Sequence, residues 1–199
     1  MVVCYAKKCI FIHIPKTAGT SIEQFLKDKG KHSIDYLGVR NNRSLHHLTA
    51  YELKMEIPGI FNNCYKFSIV RNPYDRLLSE YYWTPIPNVG YKYGRTKKQF
   101  LNYVTNVIDN KKYLDNIYND HFIPQHVFLY NKKKILIDQL FKYEDLEWTV
   151  EYLKKKLDIE NGLPVINKTH AKKEGWNERQ KERIYNLYKN DFIIFNYQK

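Results

Sequence analysis

The sequence predicts an α/β fold with a central, mainly parallel sheet flanked by helices. Three observations carry that reading. Short apolar, β-branched runs end abruptly at Pro15 or at Arg71-Asn-Pro73, capped helical patterns follow them, and this strand-loop-helix grammar recurs along the chain.

The first strand is Cys9-Ile-Phe-Ile-His-Ile14, a continuous apolar run of the kind buried on both faces of a parallel sheet. Its loop feeds a helix over about 20–29, where Thr20-Ser-Ile-Glu23 forms a capping box, Ile22, Phe25 and Leu26 share one side, and Gly30 is the stop. A polar stretch through Asn41-Asn42-Arg43 leads to a second capping box, Thr49-Ala-Tyr-Glu52, so His46 and His47 stand just before a helix that Pro58-Gly59 ends.

Tyr65-Lys-Phe-Ser-Ile-Val70 is the second strand, and the break after it precedes a helix over about 74–83. Residues 84–95 hold Pro85, Pro87, Gly90 and Gly94 among tyrosines and read as a surface loop. A helix at about 98–108, a loop with His121 and Pro124-Gln125, and a strand Ile135-Leu-Ile-Asp-Gln-Leu-Phe141 ending at Tyr143-Glu-Asp145 come next. Helical spacing over 146–157 and 178–189 flanks a loop holding Asn167-Lys-Thr-His170. The expected architecture is a P-loop-like three-layer sandwich. No Pro/Gly/Ser-rich linker and no internal repeat interrupts residues 1–199, so one domain is expected.

Composition bounds the function. At 43% hydrophobic and 16% aromatic residues, with eighteen tyrosines, the chain carries too much buriable surface for a disordered protein. The formal net charge of +12 points to an anionic partner: nucleic acid, a membrane surface, a phosphorylated cofactor or an acidic polymer. A biased base composition of the coding genome would also enrich Lys, Asn and Tyr, which weakens an argument from charge alone. Cys4, Cys9 and Cys64 have neither C-x-x-C spacing nor paired histidine ligands, so neither a disulfide framework nor a metal site is expected. No apolar run approaches the roughly 20 residues of a membrane helix, and no signal-peptide design is present, so the expectation is a soluble, cytoplasmic protein.

A strand that ends in a small-residue loop and enters a helix offers backbone N–H groups and a positive dipole end to an anion. Lys16, Thr17, Gly19, Thr20 and Ser21 supply what such a grip needs, namely a mobile charge, hydroxyl donors and a glycine permitting close approach. The order is not that of a Walker A loop, in which the lysine follows the glycine. Arg71 follows a strand end and Ser79 lies eight residues on, two turns along a helix, so both can face one anion. An arginine fork with a hydroxyl suits a phosphate monoester, and parallel strands gather their end loops along one edge.

The segment His13-Ile-Pro-Lys-Thr-Ala-Gly-Thr-Ser21 resembles the 5′-phosphosulfate-binding motif of carbohydrate sulfotransferases of the heparan and chondroitin sulfate type. Ile69-Val-Arg-Asn-Pro-Tyr-Asp-Arg-Leu-Leu-Ser79 resembles their 3′-phosphate-binding motif, and His121-Phe-Ile-Pro-Gln125, Phe141-Lys-Tyr-Glu-Asp-Leu146 and Asn167-Lys-Thr169 continue the likeness in order. The resemblance implies a donor, 3′-phosphoadenosine 5′-phosphosulfate (PAPS), and a product, 3′,5′-ADP. It implies that Lys16, Thr17, Ala18, Gly19, Thr20 and Ser21 hold the 5′ end, that Arg71 and Ser79 hold the 3′ phosphate, and that Lys168 and Thr169 close over the nucleotide. His47, or else His46, lies where related enzymes place a catalytic histidine, and neutral imidazole is a suitable base for an acceptor hydroxyl.

The implied acceptor is a carbohydrate, such as an acidic glycan; the loop at 84–95 is a place for its contacts, and no metal is required. Family members of the Golgi carry an N-terminal anchor, whereas here the motif strand begins by residue 9. Two other classes compete: a nucleotide-dependent kinase, which lacks a Walker A loop and a metal-binding carboxylate pair, and a polyanion or nucleic-acid binding protein, which leaves the spacing of the two motifs unexplained. Nucleic acid is thereby disfavoured as a partner.

Overall fold

In a computed structural model, residues 2–26, 33–35, 39–40, 43–83, 119–164 and 175–199 are described. An antiparallel pair opens the chain: β1 (Val2–Cys4) and β2 (Cys9–Ile12), with Cys4 opposite Cys9 and the turn closed by Lys8 N–H donating to the Tyr5 carbonyl at 3.1 Å. After β2 come α1 (Gly19–Leu26), then β3 (Ser33–Asp35), then a small ladder of β4 (Val39–Arg40) and β5 (Arg43–Ser44). A 3₁₀ turn at Leu45–His47 precedes α2 (Ala50–Glu56) and α3 (Pro58–Asn63). Strand β6 (Tyr65–Val70) runs into α4 (Pro73–Trp83). A 3₁₀ turn at Asn119–Phe122 precedes α5 (Gln125–Leu129), the hairpin β7 (Tyr130–Asn131) and β8 (Lys134–Ile135), and β9 (Gln139–Lys142). A 3₁₀ turn at Tyr143–Asp145 and helices α6 (Leu146–Leu157), α7 (Glu178–Leu187) and α8 (Lys189–Ile194) complete the order.

The main sheet has the order β3-β1-β2-β6-β9, and it is mixed: β2, β6 and β9 are mutually parallel, while β1 is antiparallel to both β2 and β3. The parallel centre is the part the apolar runs predict; the antiparallel edge is additional to it. Alternation sends Ile10 and Ile12 of β2 into a core with Leu53, Phe61, Phe128 and Leu129 from α2, α3 and α5. Cys9 and Phe11 point the other way, into a core with Ile22, Phe25, Val150 and Leu153 from α1 and α6. Helices therefore cover both faces of the sheet. A third cluster, including Leu77, Tyr81, Trp176, Ile184 and Phe192, fastens α4 to α7 and α8.

Several boundaries differ from expectation for physical reasons. The run 135–141 divides because Asp138 leaves the strand pattern: its carboxylate accepts from Lys66 N–H at 2.7 Å and its own N–H donates to the Lys66 carbonyl at 2.8 Å. Leu136 and Ile137 fill the core between β8 and β9. Helix α2 ends at its C-cap Ile57, the residue before Pro58, as expected, and Pro58 then opens α3 from the first turn, where its missing N–H costs no hydrogen bond. The pattern over 178–189 breaks at Tyr188 into α7 and α8, and α7 starts from a capping box of Asn177 with Gln180. The end of the first helix near Gly30, the expected loop at 84–95, the helix at 98–108 and the loop holding Asn167 to His170 lie outside the described residues. Among the described residues, no helix is long and apolar enough to cross a membrane.

Candidate active site

Parallel strands deliver their ends to one edge, and three loops meet there: Pro15 to Ala18 after β2, Arg71-Asn72 after β6, and Tyr143 to Asp145 after β9. In the first loop Lys16 and Ala18 take left-handed backbone angles, φ 69° and 68°. Each such non-glycine residue costs on the order of 1–3 kcal/mol, and such strain is held where the surroundings over-determine it. The restraints are visible. Thr17 Oγ1 donates to the Ile14 carbonyl at 2.9 Å, and buried Arg76 donates from Nε to the Pro15 carbonyl at 3.1 Å and from Nη2 to the His121 carbonyl at 2.8 Å.

Gly19 begins α1, one residue ahead of the predicted start. A Cβ there would sit 1.8 Å from His13 Nε2, so this glycine makes room for an imidazole from within the protein. His13 is buried and its Nδ1 lies 2.8 Å from Glu23 Oε1, which accounts for the glutamate expected to serve in a capping box. Burial holds His13 below its ordinary pKa. Burial acts to raise the Glu23 pKa, but hydrogen bonds from His13 and His46 outweigh it and keep the carboxyl low.

Lys16 Nζ stands 4.5 Å over the Trp83 ring, which also packs against the His121 imidazole at 4.9 Å between centroids. Burial lowers the lysine to a pKa of about 8; Glu80 raises it and Arg71 lowers it further. Most of its population is therefore charged at neutral pH. Thr17 and Ser21 are buried, Lys16 and Ala18 are partly covered, and Thr20 is exposed.

Arg71 reaches this loop directly, with Nη1 donating to the Lys16 carbonyl at 3.2 Å. Its guanidinium lies 4.1 Å over the Tyr143 ring, and its Nε is buried without a hydrogen-bond partner among the described residues. Gln125 fixes its backbone from both sides: Arg71 N–H donates to Oε1 at 2.9 Å and Nε2 donates to the Arg71 carbonyl at 2.8 Å. Glu144 accepts from Asn72 N–H at 2.8 Å. Ser79 is half-buried on α4, three residues after Arg76 and four before Trp83, on the helix side whose neighbours face the first loop. The two predicted grips are thus adjacent, while Lys168 and Thr169 lie outside the described residues.

Sequence reasoning placed His47 ahead of His46 as the base, and their surroundings differ. His47 is buried in the 3₁₀ turn, and its Nδ1 lies 2.6 Å from Oδ2 of the fully buried Asp120. Burial drives its pKa down to about 3 despite the pull of Asp120. Its ring lies 4.8 Å from His13 and 5.0 Å from His121, both edge-on. His121 Nδ1 in turn meets Glu80 Oε2 at 2.7 Å. His46 is more exposed, with Nδ1 3.9 Å from Glu23 Oε2. His13, Glu23 and His46, and likewise His47, Asp120 and His121, each offer ligand atoms within 4.8 Å of one another and could hold a small cation.

The carboxylates Glu80 and Asp120 had no signal of their own in the sequence, Glu23 was visible only as a helix cap, and Arg76 stood inside the Ile69–Ser79 motif with no role assigned to it. Gln125 and Tyr143 lay inside motifs that only their order made noticeable.

The model of the sulfotransferase family matches residues 1–198. The chain belongs to this family. Carbohydrate sulfotransferase 10 of Gallus gallus is 26% identical over 236 residues, covering 98% of this chain and 66% of the relative. The Homo sapiens protein of that name is 26% identical over 237 residues, covering 99% and 66%, and the Pongo abelii protein is 28% identical over 177 residues, covering 72% and 50%. The chain thus spans just under two thirds of the length of the first two relatives, at 66%. No solved structure matches it.

Proposed function

We propose that this chain is a PAPS-dependent sulfotransferase acting on a carbohydrate hydroxyl, with a P-loop-like arrangement of the phosphosulfate loop in a single domain over residues 1–199. The observation that carries the reading is the Arg71 guanidinium on the Lys16 carbonyl at 3.2 Å, which joins two anion grips on the carboxyl edge of the parallel strands. A nucleotide with phosphates at both ends of its ribose needs two such grips side by side. Family membership supports PAPS as the donor, and the relatives named carbohydrate sulfotransferase support a carbohydrate acceptor.

In this reading, Lys16, Thr17, Ala18, Gly19, Thr20 and Ser21 form the 5′ cradle, with backbone N–H groups from the strained turn and the start of α1 facing the anion. Arg71 and Ser79 hold the 3′ phosphate, and Lys168 and Thr169 close over the nucleotide. An acceptor oxygen forms a bond to sulfur as the bond from sulfur to the 5′-phosphate oxygen breaks. The electron pair leaves with 3′,5′-ADP, where the Lys16 ammonium meets the growing charge, and the acceptor proton passes to His47. His47 is preferred to His46 because its imidazole is oriented by a carboxylate at 2.6 Å.

No step in this scheme uses a metal, so EDTA is expected to leave the rate unchanged. The decisive assay is transfer of labelled sulfate from PAPS to a panel of desulfated heparin, chondroitin and simple glycosides, with mass spectrometry of the product. Failure to bind 3′,5′-ADP, or binding that Lys16→Ala and Arg71→Ala leave intact, overturns the reading.

A further inference from the structure

We propose that Asp120 is the positioning residue of the transfer reaction: by holding the Nδ1–H of His47 it leaves Nε2 as the atom that receives the acceptor's proton. The inference rests on the reading of His47 as base and adds a residue outside the motifs singled out in the sequence.

The geometry is specific. Asp120 and His47 lie 73 residues apart in sequence and meet at 2.6 Å, and both are buried, Asp120 completely. A carboxylate only accepts hydrogen bonds, so the ring nitrogen facing it carries the proton and the other keeps its lone pair. Charge-assisted bonds of this kind are about twice as strong as neutral ones. The ring is also fenced in, since His13 and His121 stand edge-on to it at 4.8 and 5.0 Å, and their own Nδ1 atoms are engaged by Glu23 and Glu80. Rotation of His47 would disturb three histidine–carboxylate pairs together. The neighbouring His46 is less buried, and its Nδ1 stands 3.9 Å from Oε2 of a glutamate that also serves His13.

A structural pairing would also fill this space, so the test must read the proton and the rate separately. In the wild-type protein, nitrogen-15 NMR of the histidine side chains should find His47 protonated at Nδ1 and unprotonated at Nε2; the opposite tautomer overturns the inference without any variant. Asp120→Asn should lower kcat by about 100-fold or more, a typical share for general base catalysis, with 3′,5′-ADP affinity changed less than about 2-fold. PAPS and whichever glycan of the panel turns over fastest are the substrates. In a His47→Ala background, Asp120→Asn should cost nothing further, because a residue acting through another has no effect once that one is gone. Independent, multiplicative losses, or an unchanged kcat in Asp120→Asn beside a slow His47→Ala, overturn the role of Asp120. An unchanged kcat in His47→Ala instead overturns the base assignment beneath it.

Discussion

The two anion grips lie side by side on one sheet edge and are built in opposite ways. The loop after β2 is contiguous: six neighbouring residues, two of them in left-handed conformations, held by Thr17, Arg76 and a glycine-sized gap for His13. The grip after β6 is one arginine that distant residues hold in place: Gln125 on its backbone, Tyr143 beneath its guanidinium and Glu144 on the next residue. A site made of backbone can be written in one stretch of sequence, whereas a site made by a clamp is scattered along the chain. The first should fail through its charge and the second by degrees, as its supports are removed.

The largest expected effect falls on the contiguous loop. Lys16→Ala removes the charge that meets the leaving phosphate, and deletion of one such electrostatic group costs about 10²–10³ in kcat. Steady-state rates with PAPS read this, and a loss below about 5-fold would remove Lys16 from its assigned role. The same lysine fixes the alkaline limb. Its ammonium must be charged to act, and burial places its pKa at about 8, so kcat/KM for PAPS should fall as pH rises through about 8. His47, lowered to about 3, stays neutral and able to accept a proton throughout the range from 5 to 8, so it should impose no fall there. A decline centred near 6.5, the ordinary histidine value, would contradict its burial.

Arg71→Ala tests the clamp at its centre. Hydrogen bonds to a charged group contribute about 1.5–3 kcal/mol each, so 3′,5′-ADP should bind about 10–100-fold more weakly by calorimetry. The rate at saturating PAPS should change much less than in Lys16→Ala. Equal losses of binding and turnover in both variants would erase the distinction between the two grips.

The same difference explains what was legible in the sequence. The parallel centre, β2 and β6, was readable because their apolar runs are buried on both faces and each stops at a proline-bearing break. Strand β1 was not, since three residues paired to β2 across a tight turn carry no period of their own. The capping box at Thr49 formed as expected, while the one read at Thr20 gave way to a histidine pair, because Glu23 faces two imidazoles across the loop. Lys16, Gly19 and Arg71 were legible by type and spacing. Asp120, Glu80 and Arg76 were not, because what makes each useful is a partner 41 to 73 residues away, reached only after folding.

The smallest effect is the most discriminating for the clamp. Tyr143→Leu keeps an apolar body at the site but removes the π face that lies 4.1 Å from the Arg71 guanidinium. Cation–π contacts contribute about 0.5–1 kcal/mol at exposed sites and about 2 or more when desolvated; this pair is partly covered, so affinity for 3′,5′-ADP should fall about 2- to 10-fold. Because the Gln125 bonds remain in place, the arginine backbone should keep its position and the loss should stop there. A loss as deep as that of Arg71→Ala would mean that the ring alone aims the guanidinium. No loss at all would assign the aim to Gln125 and the Lys16 carbonyl.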